Sequence, residues 1–138
     1  MSLLQVENLS VSFANESGEL NVLDEVSFSL AAGTTLGIVG ESGCGKSVTA
    51  LSINGLLPKP AGNITGGKIL FDGDDLVTIS QQKRFALRGN RIAMIFQEPM
   101  TALNPVQRIG KQLAEVYQIH FPKMRSQDIT KACVEVLT

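Results

Sequence analysis

The sequence predicts an α/β fold that begins with an antiparallel β subdomain, and three observations support this prediction. Hydrophobic and polar residues alternate over residues 4–13 and again over residues 22–30, as expected for strands with one buried face. A glycine-rich octet follows, between an apolar strand predicted at 35–39 and a helix-compatible stretch at 47–57. The last third of the chain shows two amphipathic helical stripes. Together these features indicate one domain of mixed class.

The octet, residues 40–47, reads Gly-Glu-Ser-Gly-Cys-Gly-Lys-Ser and matches the pattern G-x-x-x-x-G-K-[ST] in full. Its glycines let the backbone turn tightly and approach an anion closely. Successive N–H groups then form an anion nest that continues into the positive end of the following helix. Lys46 is placed to reach the β- and γ-phosphates of a nucleoside triphosphate, and the Ser47 hydroxyl is placed to ligate Mg²⁺. The pattern predicts a phosphate-binding loop, and the alternative is a glycine-rich turn without a ligand.

The other elements follow from periodicity and turn residues. A turn cluster at 15–18 predicts that the first two strands form a hairpin. A strand is predicted at 68–71, a short helix at 80–88 and a buried parallel strand over the apolar run at 91–96. The first helical stripe, which Pro122 ends, consists of Ile109, Leu113, Val116, Tyr117 and His120, and the second of Ile129, Ala132, Cys133, Val136 and Leu137.

Composition excludes several classes of protein. The chain has 138 residues, 43% hydrophobic, with a net charge of −1. Because no basic stripe is present to neutralise phosphates, nucleic acid is not expected as a partner. Cys44 and Cys133 lie far apart without zinc-type spacing, so neither a disulfide framework nor a zinc site is indicated. No signal peptide and no run of roughly 18 apolar residues is present, so we expect a cytoplasmic chain that reaches a membrane only through a partner.

Gln97 is the second candidate site residue. It follows the predicted strand at 91–96 directly, and open α/β sheets bind ligands at the carboxyl ends of their strands. Its neutral amide can join a Mg²⁺ shell and orient a water molecule without adding charge. The alternative is an ordinary loop residue.

With both motifs in this order, the sequence resembles the ATP-binding subunits of ABC transporters, and more narrowly the ATPases of the di-/oligopeptide and nickel importers. Residues 40–47 correspond to Walker A, and Gln97 within 95–99 corresponds to the Q-loop. The sequences of residues 40–49 and of residues 100–105 are typical of that importer branch. The resemblance covers essentially the whole chain.

The resemblance implies a binding site for ATP and Mg²⁺. Phe13 matches the aromatic position that stacks on adenine, although an inward-facing phenylalanine at a strand end is the alternative. Lys46 and Gln97 are implied as catalytic residues, and Ser47 and Gln97 as Mg²⁺ ligands. The implied nucleotide-binding residues are Phe13, Gly40, Ser42, Gly43, Cys44, Gly45, Lys46, Ser47 and Val48.

The resemblance also implies an incomplete P-loop NTPase domain of the ABC type spanning residues 1–138. Its parts would be an antiparallel β subdomain (about 1–35 and 62–80), a nucleotide core (36–57 and 90–105) and the start of a helical subdomain (106–138). The implied partners are transmembrane permease subunits and a second ATP-binding subunit in a head-to-tail dimer. The implied location is the inner face of the cell membrane, and the solute is a peptide in preference to nickel.

The rest of the family's catalytic machinery is absent from these residues. There is no Leu-Ser-Gly-Gly-Gln signature, no Walker B strand ending in Asp-Glu, no D-loop and no switch histidine. The similar stretch at 64–68 is interpreted as a turn, residues 69–72 as a strand end, and His120 as a structural residue of a helix. We therefore expect a fragment of marginal stability that does not turn over ATP by itself.

Two other functions fit the same loop. A soluble P-loop kinase or GTPase would use it for phosphoryl transfer. However, the Asn-Lys-x-Asp motif with which a GTPase reads the base is not present. A kinase would normally have its phosphate loop close to the N-terminus, whereas here the first 35 residues are assigned to an antiparallel subdomain before the loop. A nucleotide-binding module without turnover is the other alternative.

Overall fold

The computed structural model describes residues 2–98 and 102–138. It divides into two compact units, Met1–Phe85 and Ala86–Thr138, each of which is described by itself. The first unit contains a sheet and the octet with its helix, and the second is mainly helical. None of the helices within the described ranges is long and apolar enough to cross a membrane.

The first unit is built on a four-stranded antiparallel sheet in the order β2-β1-β3-β4. Its strands are β1 (Ser2–Asn15), β2 (Gly18–Ala31), β3 (Gly62–Phe71) and β4 (Asp74–Asp75). The predicted hairpin of the first two strands is confirmed, with Asn15 paired to Gly18 at its turn. The fully buried side chains belong chiefly to β1 and β3: Val6, Leu9, Val11, Ser12 and Ile69.

A bulge in β2 decides which of its side chains are buried. Val26 pairs with Leu9 and Leu23 pairs with Val11, so two residues of β2 oppose the single residue Ser10. Glu25 adopts a positive φ of 47° there, and its backbone N–H donates to the Ser10 hydroxyl at 3.1 Å. The extra residue brings Leu23 to the same face of the sheet as Val26.

The third strand begins earlier than the sequence indicates. Residues 64–68, interpreted as a turn, lie within β3, which pairs with β1. Gly67 (φ +86°) lies where two residues of β1, Asn8 and Leu9, oppose it alone, and a Cβ on Gly67 would collide with the backbone oxygens of Glu7 and Asn8. The turn prediction is wrong because glycine here allows close approach to a bulge in the neighbouring strand, which the local sequence does not reveal.

Two predicted strands are absent. Residues 34–41 carry no regular structure, and residues 93–96 carry none either, with only an isolated bridge joining Arg88 to Ile92. Val39 is 92% exposed and Ile95 is 94% exposed. The predictions of strands at 35–39 and 91–96 are therefore wrong for this structure. A β-strand needs a neighbour for its N–H and C=O groups, and neither segment takes part in a ladder among the described residues.

The helices agree with the periodicity of the sequence. α1 (Lys46–Asn54) ends at Gly55 in the left-handed conformation, and α2 (Gln81–Leu87) lies within the predicted range. In the second unit, α3 (Ile109–His120) and α4 (Ser126–Leu137) confirm the two predicted helices. Ile129 and Cys133 are the buried side chains of α4.

Candidate nucleotide-binding site

The octet forms an exposed loop that leads directly into α1. Gly43 (φ +83°) and Gly45 (φ +92°) both adopt left-handed conformations that are unfavourable for other residues. The turn is closed by the backbone N–H of Cys44, which donates to the Glu41 carbonyl at 3.3 Å. Two glycines in these conformations are what the sequence pattern requires for a loop that wraps around an anion.

Two glycines of the loop also lie against neighbouring side chains. A Cβ on Gly40 would lie 2.5 Å from Cys44 Sγ, so the thiol fills the space where a side chain would be. A Cβ on Gly45 would lie 2.5 Å from Leu23 Cδ2 and 3.3 Å from the Val22 carbonyl oxygen. The loop therefore closes on itself at Gly40 and rests on strand β2 at Gly45.

The Lys46 side chain folds back over the loop. Its Nζ donates to the carbonyl oxygens of Gly40 at 2.8 Å and Glu41 at 2.7 Å, and lies 3.5 Å from Cys44 Sγ. An ammonium group has three donors, and a thiol is a weak acceptor. Two donors hold the loop closed, and the third can be given to a phosphate oxygen without opening it.

The N-terminus of α1 has no side-chain cap. Gly45 occupies the N-cap position, and no side chain accepts a hydrogen bond from the first turn. The first intrahelical bond is donated by the Thr49 N–H to the Gly45 carbonyl at 2.9 Å, and the buried Thr49 hydroxyl donates to the same oxygen at 3.0 Å. The backbone N–H groups of Lys46, Ser47 and Val48 thus precede the first helical bond, where a helix binds anions.

The Ser47 side chain is exposed at this helix end. No group of three or more His, Cys, Asp or Glu side chains suited to a metal ion occurs among residues 2–98 and 102–138. Mg²⁺ usually keeps several waters and binds through one or two protein ligands together with phosphate oxygens. One hydroxyl beside an anion nest therefore fits a metal ion that arrives with a nucleotide.

Phe13 lies near the end of β1, where it pairs with Leu20 on one side and Gly62 on the other. Its ring packs on Gly62, since a Cβ there would lie 3.0 Å from Phe13 Cε1. The side chain is half-buried. Its proposed stacking on adenine stays a prediction, and packing on Gly62 is the contact that the structure shows.

Gln97 is exposed and lies in the second unit, at a bend. It does not follow a strand, contrary to the sequence-based prediction, and its role as a catalytic and Mg²⁺-binding residue stays a prediction. Pro99, which ends the Q-loop stretch, and Met100 and Thr101, which begin the second importer-type stretch, lie outside the described residues. The next described segment is held by Gln112 of α3, whose side-chain amide bonds both the N–H (2.8 Å) and the C=O (3.0 Å) of Asn104.

The structure brings together the predicted loop residues, and it adds two that the sequence did not suggest. These are Leu23, which contacts Gly45 from below, and Thr49, which holds the Gly45 carbonyl. The adjacent pair Val22-Leu23 interrupts the alternation of β2, and this interruption is the one signal that could have drawn attention to Leu23.

A glycine-rich loop between an antiparallel sheet and a helix N-terminus, with a lysine folded over it, defines a P-loop nucleotide-binding domain. The family model described as ABC transporter matches residues 23–136. The chain belongs to this family. This result confirms the fold class predicted from the sequence, an incomplete P-loop NTPase domain of the ABC type.

Two curated relatives of this chain are ATP-binding proteins of peptide transport. The chain is 49% identical over 130 residues to the probable peptide ABC transporter ATP-binding protein y4tR of Sinorhizobium fredii, covering 94% of this chain and 39% of that protein. It is 47% identical over 135 residues to the oligopeptide transport ATP-binding protein OppD of Bacillus subtilis, covering 98% of this chain and 37% of that protein. The chain thus spans less than two fifths of the length of these relatives.

Among solved structures, the dimeric post-hydrolysis state of the ATP-binding cassette MJ0796, bound to ADP and Pi, has the same fold. It superimposes with a TM-score of 0.78 at 18% identity, over 97% of this chain and 55% of that one. At this level of identity the likeness establishes the fold.

Proposed function

We propose that this chain is the ATP-binding part of an energy-coupling subunit of an ABC importer for peptides. The observation that supports it best is the phosphate loop, in which Lys46 Nζ bonds two loop carbonyls while the first turn of α1 has no side-chain cap. Such a loop presents a cation and backbone N–H groups to an anion. The names of the relatives, which are peptide and oligopeptide transport proteins, support peptide as the solute.

ATP and Mg²⁺ are assigned to this loop as follows. The backbone N–H groups of residues 42–48 surround the phosphates, and Lys46 neutralises their charge. Ser47 provides the hydroxyl for Mg²⁺, and the metal, when bound, offsets the charge that develops on the phosphates during hydrolysis. Phe13 is proposed to stack on adenine and Gln97 to orient water near the metal, both on the basis of the family resemblance.

The partners proposed for the whole protein are transmembrane permease subunits and a second ATP-binding subunit, paired head-to-tail. The chain would then work on the cytoplasmic face of a membrane, held there by the permease. These 138 residues contain no signature and no Walker B sequence. Hydrolysis is accordingly assigned to the complete domain, and this chain alone is proposed to bind ATP without appreciable turnover.

The proposal is tested by measuring Mg-ATP binding to the 138-residue chain by titration calorimetry. We expect binding that Lys46→Ala weakens at least tenfold, since one charged donor to a phosphate is lost. Lys59→Ala, which removes an exposed lysine outside the loop in the same unit, is the matched control and leaves binding unchanged. Equal effects of the two substitutions would refute the phosphate loop as the binding site.

Turnover and partner choice are measured separately. We expect no sustained phosphate release from the chain, and release that Lys46→Ala abolishes would show that the chain is an ATPase by itself. Co-fractionation with membranes that contain a peptide permease is expected. Transfer of phosphate to a small acceptor in the absence of membranes would instead favour a soluble kinase.

A further inference from the structure

The inner contact of the phosphate loop is made by one side chain of the antiparallel sheet. Leu23 of β2 is 4% exposed, and its Cδ2 would lie 2.5 Å from a Cβ on Gly45. The three heavy atoms nearest to that Cβ position, Gly45's chain neighbours and the backbone of α1 aside, belong to Leu23 and Val22. The α-carbon of Gly45 therefore sits directly on Leu23.

The same glycine is held from the opposite direction by α1. Its carbonyl oxygen accepts hydrogen bonds from both the N–H and the hydroxyl of Thr49, at 2.9 and 3.0 Å. Gly45 is consequently fixed between a buried leucine and a buried threonine. It immediately precedes Lys46, so any displacement of Gly45 moves the ammonium group and the first N–H groups of the helix together.

We propose that Leu23 is a positioning residue for nucleotide binding. Its side chain fixes the height of Gly45 above the sheet and thereby the direction of the N–H groups that surround the phosphates. Preorganised donors bind an anion more tightly than donors that must first be ordered. This inference rests on the proposed function, because it concerns the same phosphate loop.

A leucine can also act only as part of the hydrophobic core, and the chain offers a control for that role. Leu9 of β1 is fully buried and pairs with Val26, on the other side of the β2 bulge from Leu23. Leu9→Ala and Leu23→Ala remove the same atoms from the same core, but only Leu23 touches Gly45. A core role predicts equal effects on nucleotide affinity, and a positioning role predicts unequal ones.

The experiment compares Mg-ATP affinity by titration calorimetry for the unmodified chain, Leu23→Ala and Leu9→Ala, with urea unfolding of each. We expect Leu23→Ala to weaken binding about tenfold, because a loop that has lost its support orders its donors on binding. Leu9→Ala is expected to reduce stability to a similar degree and to change affinity by less than about twofold. Leu23→Met, which keeps the volume, is expected to restore the affinity.

Each outcome is distinct. Equal weakening by Leu23→Ala and Leu9→Ala, or no weakening by either, would overturn the proposal. Absence of binding by the unmodified chain would overturn the proposed function instead. If Leu23→Ala does not fold, Leu23→Val and Leu9→Val provide the same comparison with a smaller cavity, and a selective loss of affinity in Leu23→Val supports the proposal.

Discussion

Val11 and Val39 are the same residue in two regions that both look like strands, yet Val11 is fully buried and Val39 is 92% exposed. Val11 lies in β1, which has a paired strand on each side. Val39 lies in residues 34–41, just before the phosphate loop, where no regular structure forms. The difference shows that apolar β-type sequence supplies a preference, and that a hydrogen-bonded neighbour is needed to convert it into a strand.

The two sides of the phosphate loop differ in a similar way. Its C-terminal side, at Gly45, rests on a side chain of the sheet, whereas the segment leading into its N-terminal side is exposed. Sites on rigid elements hold their geometry better than sites on loops. The part of the site that the sheet supports is the part that begins the helix.

The largest expected effect tests the contact with the sheet. Gly45→Ala combines a left-handed backbone (φ +92°) with a collision against Leu23, so we expect it to lower the free energy of unfolding by about 3 kcal/mol. Gly43→Ala has a similar backbone (φ +83°) but open space around it, and is expected to cost about 1 kcal/mol. Urea unfolding of both variants measures the difference, and equal losses would mean that Gly45 is not packed on the sheet.

The next effect compares the two valines directly. Val11→Ala removes buried methyl groups between two paired strands and is expected to destabilise the chain by about 2 kcal/mol. Val39→Ala removes the same atoms from an exposed position and is expected to change stability by less than about 0.5 kcal/mol. Denaturant midpoints at constant slope provide the measurement. A large effect of Val39→Ala would show that the segment at 34–41 is packed in solution.

The smallest expected effect concerns the second unit. There a side chain, and not a neighbouring strand, bonds the backbone of a segment without regular structure. Gln112 bonds both backbone groups of Asn104 and also donates to the Gln107 carbonyl at 3.0 Å. Gln112→Ala is expected to cost about 1 kcal/mol and to speed amide exchange at Asn104. Gln118→Ala removes an exposed glutamine of the same helix and serves as the control. Unchanged exchange at Asn104 in Gln112→Ala would contradict this role.

Much of this structure could be predicted because its determinants are local. The hairpin, the four helices and the octet follow from alternation, helical periodicity and a complete motif. The family match confirms that interpretation, with residues 23–136 assigned to ABC transporter. What could not be predicted depends on neighbours distant in sequence. Gly67 fits β3 only because β1 bulges beside it, and Leu23 meets Gly45 only because β2 carries an extra residue at Glu25.

The missing side-chain cap at the N-terminus of α1 links nucleotide binding to the stability of the fold. A Ser or Asp at the N-cap would stabilise such a helix by about 1 kcal/mol, but its oxygen would occupy the N–H groups of the first turn. With Gly45 at the N-cap, no side chain accepts a hydrogen bond from the first turn of the helix. If nucleotide binds as proposed, its phosphate serves as the missing cap, so that nucleotide completes a secondary-structure element and stability rises with its concentration.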